Sequence, residues 1–248
     1  RDNKTLIASI ESSKNENLLF ISKDLGRSWH SANNVTPLKN DNSTQNKNYI
    51  CFISPGHLSN PNTWYAGTSN QGLLKSIDGG LNWNILHDSN STSEINKVII
   101  NNNHKKNALL QSIIINPKDE MHIYVGLSIG GVFESKDDGK TWKSLNSGLD
   151  SKKKSKTINN SFSLALNSLS PTYLFQQNSL GIFRLNNESS KWTHIGNNLP
   201  KDIGDFGFSI SIHPLDPNTI WVFPMENNET FSQISPGGQP ALDRKSVV

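Results

Sequence analysis

Cysteine is nearly absent. Cys51 is the one thiol in 248 residues, so no internal disulfide framework holds this chain, and Cys51, set in an apolar stretch, reads as a small core residue. Arginine is scarce too, with four in all at Arg1, Arg27, Arg184 and Arg244. A site that grips an anion with several planar guanidinium forks has almost nothing to be built from. No apolar run approaches the roughly 18 residues of a membrane span, and no signal-peptide pattern opens the chain. Because the sequence begins at Arg1 and not at a methionine, a removed leader is compatible with it, and localisation is left open between the cytoplasm and export. The net charge of +3 is small and mixed in sign, which argues against nucleic acid or a membrane surface as a partner. The one basic run, SKKKSK at 151–156, has no interleaved aromatics and reads as a solvated loop. Apolar residues make up only 33% of the chain, yet they gather into short runs at 113–115, 123–125 and 220–223, as strands do and disordered segments do not.

What the chain does have is a repeat. SKDLGRSW at 22–29, SIDGGLNW at 76–83 and SKDDGKTW at 135–142 are copies of one another, and LNNESSKW at 185–192 is a worn fourth copy. Their tryptophans, Trp29, Trp83, Trp142 and Trp192, stand 54, 59 and 50 residues apart. A reaction needs its site once, whereas a part that recurs at a near-fixed interval is architecture. Each unit carries four short strand-like runs separated by turn signals, with no helical period of useful length. Four-stranded antiparallel units of this size, repeated about an axis, describe an all-β fold, a β-propeller. The units fall at about 1–32, 49–86, 111–146, 161–196 and from 207–229 onward, an incomplete ring of about four to five blades within a single segment, 1–242. The last six residues, 243–248, read DRKSVV, which is what one frame of a common sequencing adapter encodes. They are expected to be an artefact of a metagenomic fragment.

The residue types of the repeat fit a turn. Asp24, Asp78 and Asp137 can accept hydrogen bonds from turn amides, and Gly26, Gly80 and Gly139 allow positive φ. The hydroxyls of Ser22, Ser76 and Ser135 can cap the turn locally. The tryptophans supply large apolar plates. Asp138 and Lys140 are expected to be exposed turn residues.

The pattern S-x-D-x-G-x-x-W resembles the Asp-box, or BNR repeat, of sialidase-type propellers, and the chain to about Glu229 is similar to bacterial BNR-repeat proteins of sialidase-like or glycosyl hydrolase-like type. The resemblance implies that each box sits between the third and fourth strands of a blade. The fourth copy departs from the pattern, with Asn187 for the aspartate and Ser189 for the glycine, which puts its tight turn in doubt. Sialidases of this class bind a carboxylate with three arginines. Here Arg184 alone lies on a blade away from a box or a terminus, so that site cannot be assembled and no catalytic residue is assigned.

If the boxes mark one face of the disc, the loops between blades, 30–48, 87–110, 146–160 and 196–207, gather on the other, where binding sites on rigid scaffolds usually lie. The polar strand ends at 68–71 and at Gln176, Gln177 and Asn178 fall there as well. A candidate binding face is Gln176, Gln177, Asn178, Asp205 and Phe206, with Phe208 as a further apolar platform. The same side chains could instead close the central channel. A glycosidase needs two carboxylates flanking a cleft; Asp88, Glu94, Asp150, Asp202 and Asp205 lie in suitable loops, but no spacing pairs any two. The histidines are scattered without ligand spacing, so neither a metal nor another cofactor is expected. The reading is a binding or scaffolding module for a protein or carbohydrate ligand. The alternative is a glycoside hydrolase whose catalytic residues lie partly outside the segment.

Overall fold

The computed structural model describes residues 4–11, 17–33, 49–69, 72–86, 94–100, 108–149, 161, 163–186, 189–200, 204–224 and 246–247. They form five antiparallel sheets in chain order. The first holds β1 (Leu6–Glu11), β2 (Asn17–Ser22) and β3 (His30–Ser31), and the second β4 (Ile50–Pro55), β5 (Trp64–Thr68), β6 (Leu73–Ser76) and β7 (Asn84–Leu86). The third holds β8 (Leu110–Asn116), β9 (Asp119–Leu127), β10 (Gly131–Ser135) and β11 (Lys143–Ser144), and the fourth β12 (Ser163–Leu166), β13 (Tyr173–Asn178), β14 (Gly181–Asn186) and β15 (Lys191–His194). The fifth holds β16 (Gly207–Ile212), β17 (Ile220–Pro224) and β18 (Ser246–Val247). Each sheet is a blade, and neighbouring strands in a blade are neighbours in sequence. The fold is a β-propeller.

Alternation explains the packing. Along β9, Ile123, Val125 and Leu127 turn to the second blade, while Tyr124 turns to the fourth. Four buried apolar clusters result, one at each junction between consecutive blades. Among the described residues no such cluster joins the fifth blade to the first. The first strands of the second to fifth blades, β4, β8, β12 and β16, line one central channel, with Pro55, Ile114, Leu164, Leu166 and Ile212 around it.

The box tryptophans enter these junctions in order. Trp83 lies in the cluster with Leu19 of the first blade, Trp142 packs on the cluster holding Tyr65 and Leu73 of the second, and Trp192 joins Leu145 and Leu149 of the third. Trp29, with no described blade before it, is 41% exposed.

One helix departs from the all-strand expectation. α1 (Glu94–Ile100) follows the second blade. Ile95 is buried in the junction of the second and third blades, with Val98 and Ile99 packed beside it. These three positions have the i, i+3, i+4 spacing of one helix face. The helix lies against the β5–β6 turn at Gly72 and the β9–β10 turn at Gly130, where an added β-carbon would sit 3.2 Å from Ile99 and 2.7 Å from Val98 respectively. It therefore covers two turns on the face opposite the boxes.

Ser246–Val247 runs antiparallel along β17, with Val247 opposite Trp221; the rest of 243–248 lies outside the described residues. A bare strand edge pairs with any extended segment through backbone groups, so this pairing carries no information about the origin of those residues.

Candidate functional site

The three full boxes are closed hydrogen-bonded turns. In the third, Ser135 Oγ donates to Asp137 Oδ1 at 2.7 Å and accepts from the Gly139 amide at 2.7 Å. Asp137 also accepts from the Thr141 amide at 2.9 Å and the Thr141 hydroxyl at 2.6 Å. Trp142 Nε1 donates to the Gly139 carbonyl at 3.0 Å. Ser22, Asp24 and Gly26 repeat the arrangement with Ser28 as donor, and Ser76, Asp78 and Gly80 repeat it with Leu81 and Asn82. Gly26, Gly80 and Gly139 have φ of +87°, +92° and +81°. These carboxylates are occupied by their own turns.

Asp138 corrects the sequence reading. It lies within the box, between Asp137 and Gly139, at φ +60°, and its carboxylate reaches the previous blade, accepting from Tyr65 Oη at 3.0 Å and pairing with Lys75 Nζ. It ties two blades together where an exposed turn residue was expected. In the fourth copy the left-handed position is taken by Ser190, at φ +51°, whose amide donates to the Asn186 carbonyl at 2.9 Å. That turn closes by a different route. Trp192 keeps its place, donating from Nε1 to the Leu145 carbonyl of the third blade.

On the opposite, loop-bearing face, the junction of the fourth and fifth blades gathers three of the five candidate residues. Asp205 precedes β16, and its backbone carbonyl accepts from Gln177 Nε2 at 3.3 Å. Its carboxylate Oδ2 is held by His194 Nε2 at 2.5 Å, and His194 Nδ1 lies 2.8 Å from Asn197 Oδ1. The pair is part-exposed, with side-chain accessibilities of 24% for Asp205 and 33% for His194. A β-carbon at Gly181 or at Gly196 would collide with the Asp205 carboxylate, so the notch that seats it exists because both positions are glycine. Phe206 is buried beside it, edge-on to Phe208 with ring centres 5.4 Å apart.

The three amide candidates, Gln177 included, differ from Asp205 in exposure. Gln176, Gln177 and Asn178 are fully buried. Gln176 stands opposite Leu164 and Phe183, in the junction with the third blade, and Gln177 faces the fifth. Alternation along β13 thus sends these amides into the two junctions, and of the five candidates Asp205 offers the polar group at the surface. Thr68 is buried and closes its own turn through the Gly72 carbonyl. Glu94 is exposed at the start of α1. Asp88, Asp150 and Asp202, and most of the loops 30–48, 87–110 and 146–160, lie outside the described residues. Arg184 stacks on the Tyr173 ring at 4.7 Å, away from this site. His194 was not singled out by the sequence, because its partner lies eleven residues on and no spacing rule links them.

Among the described residues no group of His, Cys, Asp and Glu could hold a metal ion, and no helix is long and apolar enough to cross a membrane.

No protein-family model matches the chain. It is 27% identical over 136 residues to a Neosartorya fischeri protein described as a probable oligoxyloglucan-reducing end-specific xyloglucanase, a match covering 54% of this chain and 15% of that protein. Among solved structures it is similar to an ancestral GH74 enzyme, with a TM-score of 0.64 and 17% identity over 92% of this chain and 27% of that one. It is also similar to the GH74 xyloglucanase of Xanthomonas campestris, with a TM-score of 0.59 and 13% identity over 89% of this chain and 33% of that one. The chain thus spans a third or less of each of these proteins, and the likeness to the solved structures is one of β-propeller fold.

Proposed function

We propose that this chain is part of a glycan-binding β-propeller module, with a xyloglucan-type β-glucan as its ligand class, and that the ligand meets the loop face at Asp205. The observation that carries this reading is the Asp205 carboxylate itself, part-exposed, seated between two glycines and oriented by His194. Among the described residues its Oδ1 has no hydrogen-bond partner, so it is available to a sugar hydroxyl. The part-exposed Phe208 ring packs edge-on against Phe206, the buried residue after Asp205, and gives an apolar sugar face a place to pack. The likeness to xyloglucan-degrading proteins supports the choice of ligand class.

We also assign the turns at 22–29, 76–83 and 135–142 to the Asp-box, or BNR, class, which their sequence and hydrogen bonding support. Sialidase chemistry lacks that support, since Arg184 is engaged with Tyr173. A second reading, glycoside hydrolysis, is favoured by the same relatives. It requires a second carboxylate roughly 5 to 9.5 Å from the first, and the partner of Asp205 is an imidazole.

Calorimetric titration of the chain with xyloglucan heptasaccharide tests the proposal. Asp205→Asn, which keeps the shape of the side chain, should weaken binding about tenfold or more, the usual effect of losing a charged hydrogen bond. Equal affinity of the wild type and the variant would remove Asp205 from the site. Release of new reducing ends during incubation would favour the hydrolase reading.

A further inference from the structure

The loop-face mouth of the central channel is a separate feature. The leading ends of three inner strands converge on a cavity of about 420 Å³ lined by Tyr49, Ile50, Cys51, Leu109, Gln111 and Phe208. They come from the second, third and fifth blades. The volume is in the range of small-ligand sites. None of these six side chains carries a formal charge, so among the described residues the lining favours a neutral occupant. Tyr49 is 38% exposed, and with Phe208 it offers aromatic surface to the cavity. Gln111 Oε1 is buried and has no hydrogen-bond partner among the described residues. A buried carbonyl oxygen of this kind favours an occupant that brings a donor.

An uncharged ring with apolar C–H faces and hydroxyl donors meets these demands together. Phe208 lines the cavity and packs edge-on against Phe206, the residue after Asp205, so the mouth neighbours the junction site. We infer that the channel mouth is a subsite for one neutral sugar ring, stacked against Tyr49 and donating a hydroxyl to Gln111, on a glycan that also meets Asp205. The inference rests on the glycan-binding reading and adds to it a second contact point and its chemistry.

Cys51 makes the subsite measurable, because it is the one thiol of the chain and lines the cavity. Burial pushes its thiol up to about 11, partly offset by a hydrogen bond from the Leu110 backbone, so alkylation by N-ethylmaleimide is followed at pH 9. With xyloglucan heptasaccharide at about ten times its Kd, labelling of the wild type should slow by roughly tenfold. Protection should be lost in Tyr49→Ala and in Gln111→Leu, the latter nearly isosteric; thermal melts establish that each variant is folded. If the heptasaccharide binds by calorimetry but Cys51 labels at an unchanged rate, the subsite is wrong while glycan binding stands. Protection that survives in both variants would place its cause elsewhere and also overturn the subsite. If neither heat nor protection is seen, the glycan reading and the subsite fall together.

Discussion

Asp24, Asp78 and Asp137 spend their carboxylates on the turns that hold them, and this has a consequence for pH. The Ser28 hydroxyl and amide, then the Ser22 hydroxyl, hold Asp24 down to about 2. For Asp78 and Asp137 burial pushes upward, but hydrogen bonds from Asn82, Ser76 and Leu81 in one, and from Thr141, Ser135 and Lys140 in the other, outweigh it and leave both lowered. A carboxyl lowered in the folded state binds fewer protons than in the unfolded chain, where it titrates at about 3.9. Its stabilisation is therefore complete above that value and is lost as pH falls through the folded one. The melting temperature should drop between about pH 4 and pH 2, and Asp24→Asn with Asp137→Asn should flatten the drop. A melting temperature constant from pH 5 to pH 2 would contradict this. The Ser, Asp and Gly of the full boxes were legible because their side-chain hydrogen bonds span no more than four positions. Asp138 was not, since Tyr65 and Lys75 belong to the preceding blade, and the same holds for His194 with Asp205.

At the level of elements, the second and third box turns are also contacts between blades, Gly80 against Ile7 and Gly139 against Leu86. Gly139 has φ +81°, and an added β-carbon would strike Leu86 at the end of the second blade. Gly139→Ala should cost about 2 to 4 kcal/mol, combining left-handed strain with overpacking, read as a lowered urea midpoint. A loss below the error of the midpoint would mean that β7 yields freely. The worn fourth copy separates the two roles of the motif. It has shed the aspartate and glycine, its turn closes through Ser190, and Trp192 is retained in the junction. The strands were legible from alternation and turn residues. Helix α1 escaped notice because seven residues are shorter than the window in which a helical period shows itself, and its apolar positions have meaning only against Gly72 and Gly130.

At the scale of the whole molecule, the four junction clusters among the described residues leave one outer face on the first blade and one on the fifth. Leu6, Ile10 and Trp29 of the first blade and Trp221 and Phe223 of the fifth are each about 40% exposed or more. Exposed apolar faces and strand edges promote association, so this 248-residue chain should elute from a sizing column above its monomer mass. Trp29→Lys with Trp221→Lys should shift it toward the monomer. A wild-type monomer at high concentration would mean that these faces are not adhesive.

The placement of the tryptophans carries one more consequence. The second, third and fourth repeats each lend their tryptophan to a core shared with the repeat before, so the period written in the sequence and the period of the packed cores are half a step out of phase. A tandem copy of one repeat would arrive as two complementary half-cores, each ready to mate with whichever neighbour it meets. The number of blades in such an array is then a matter of how many copies are laid down, and no single residue has to encode it.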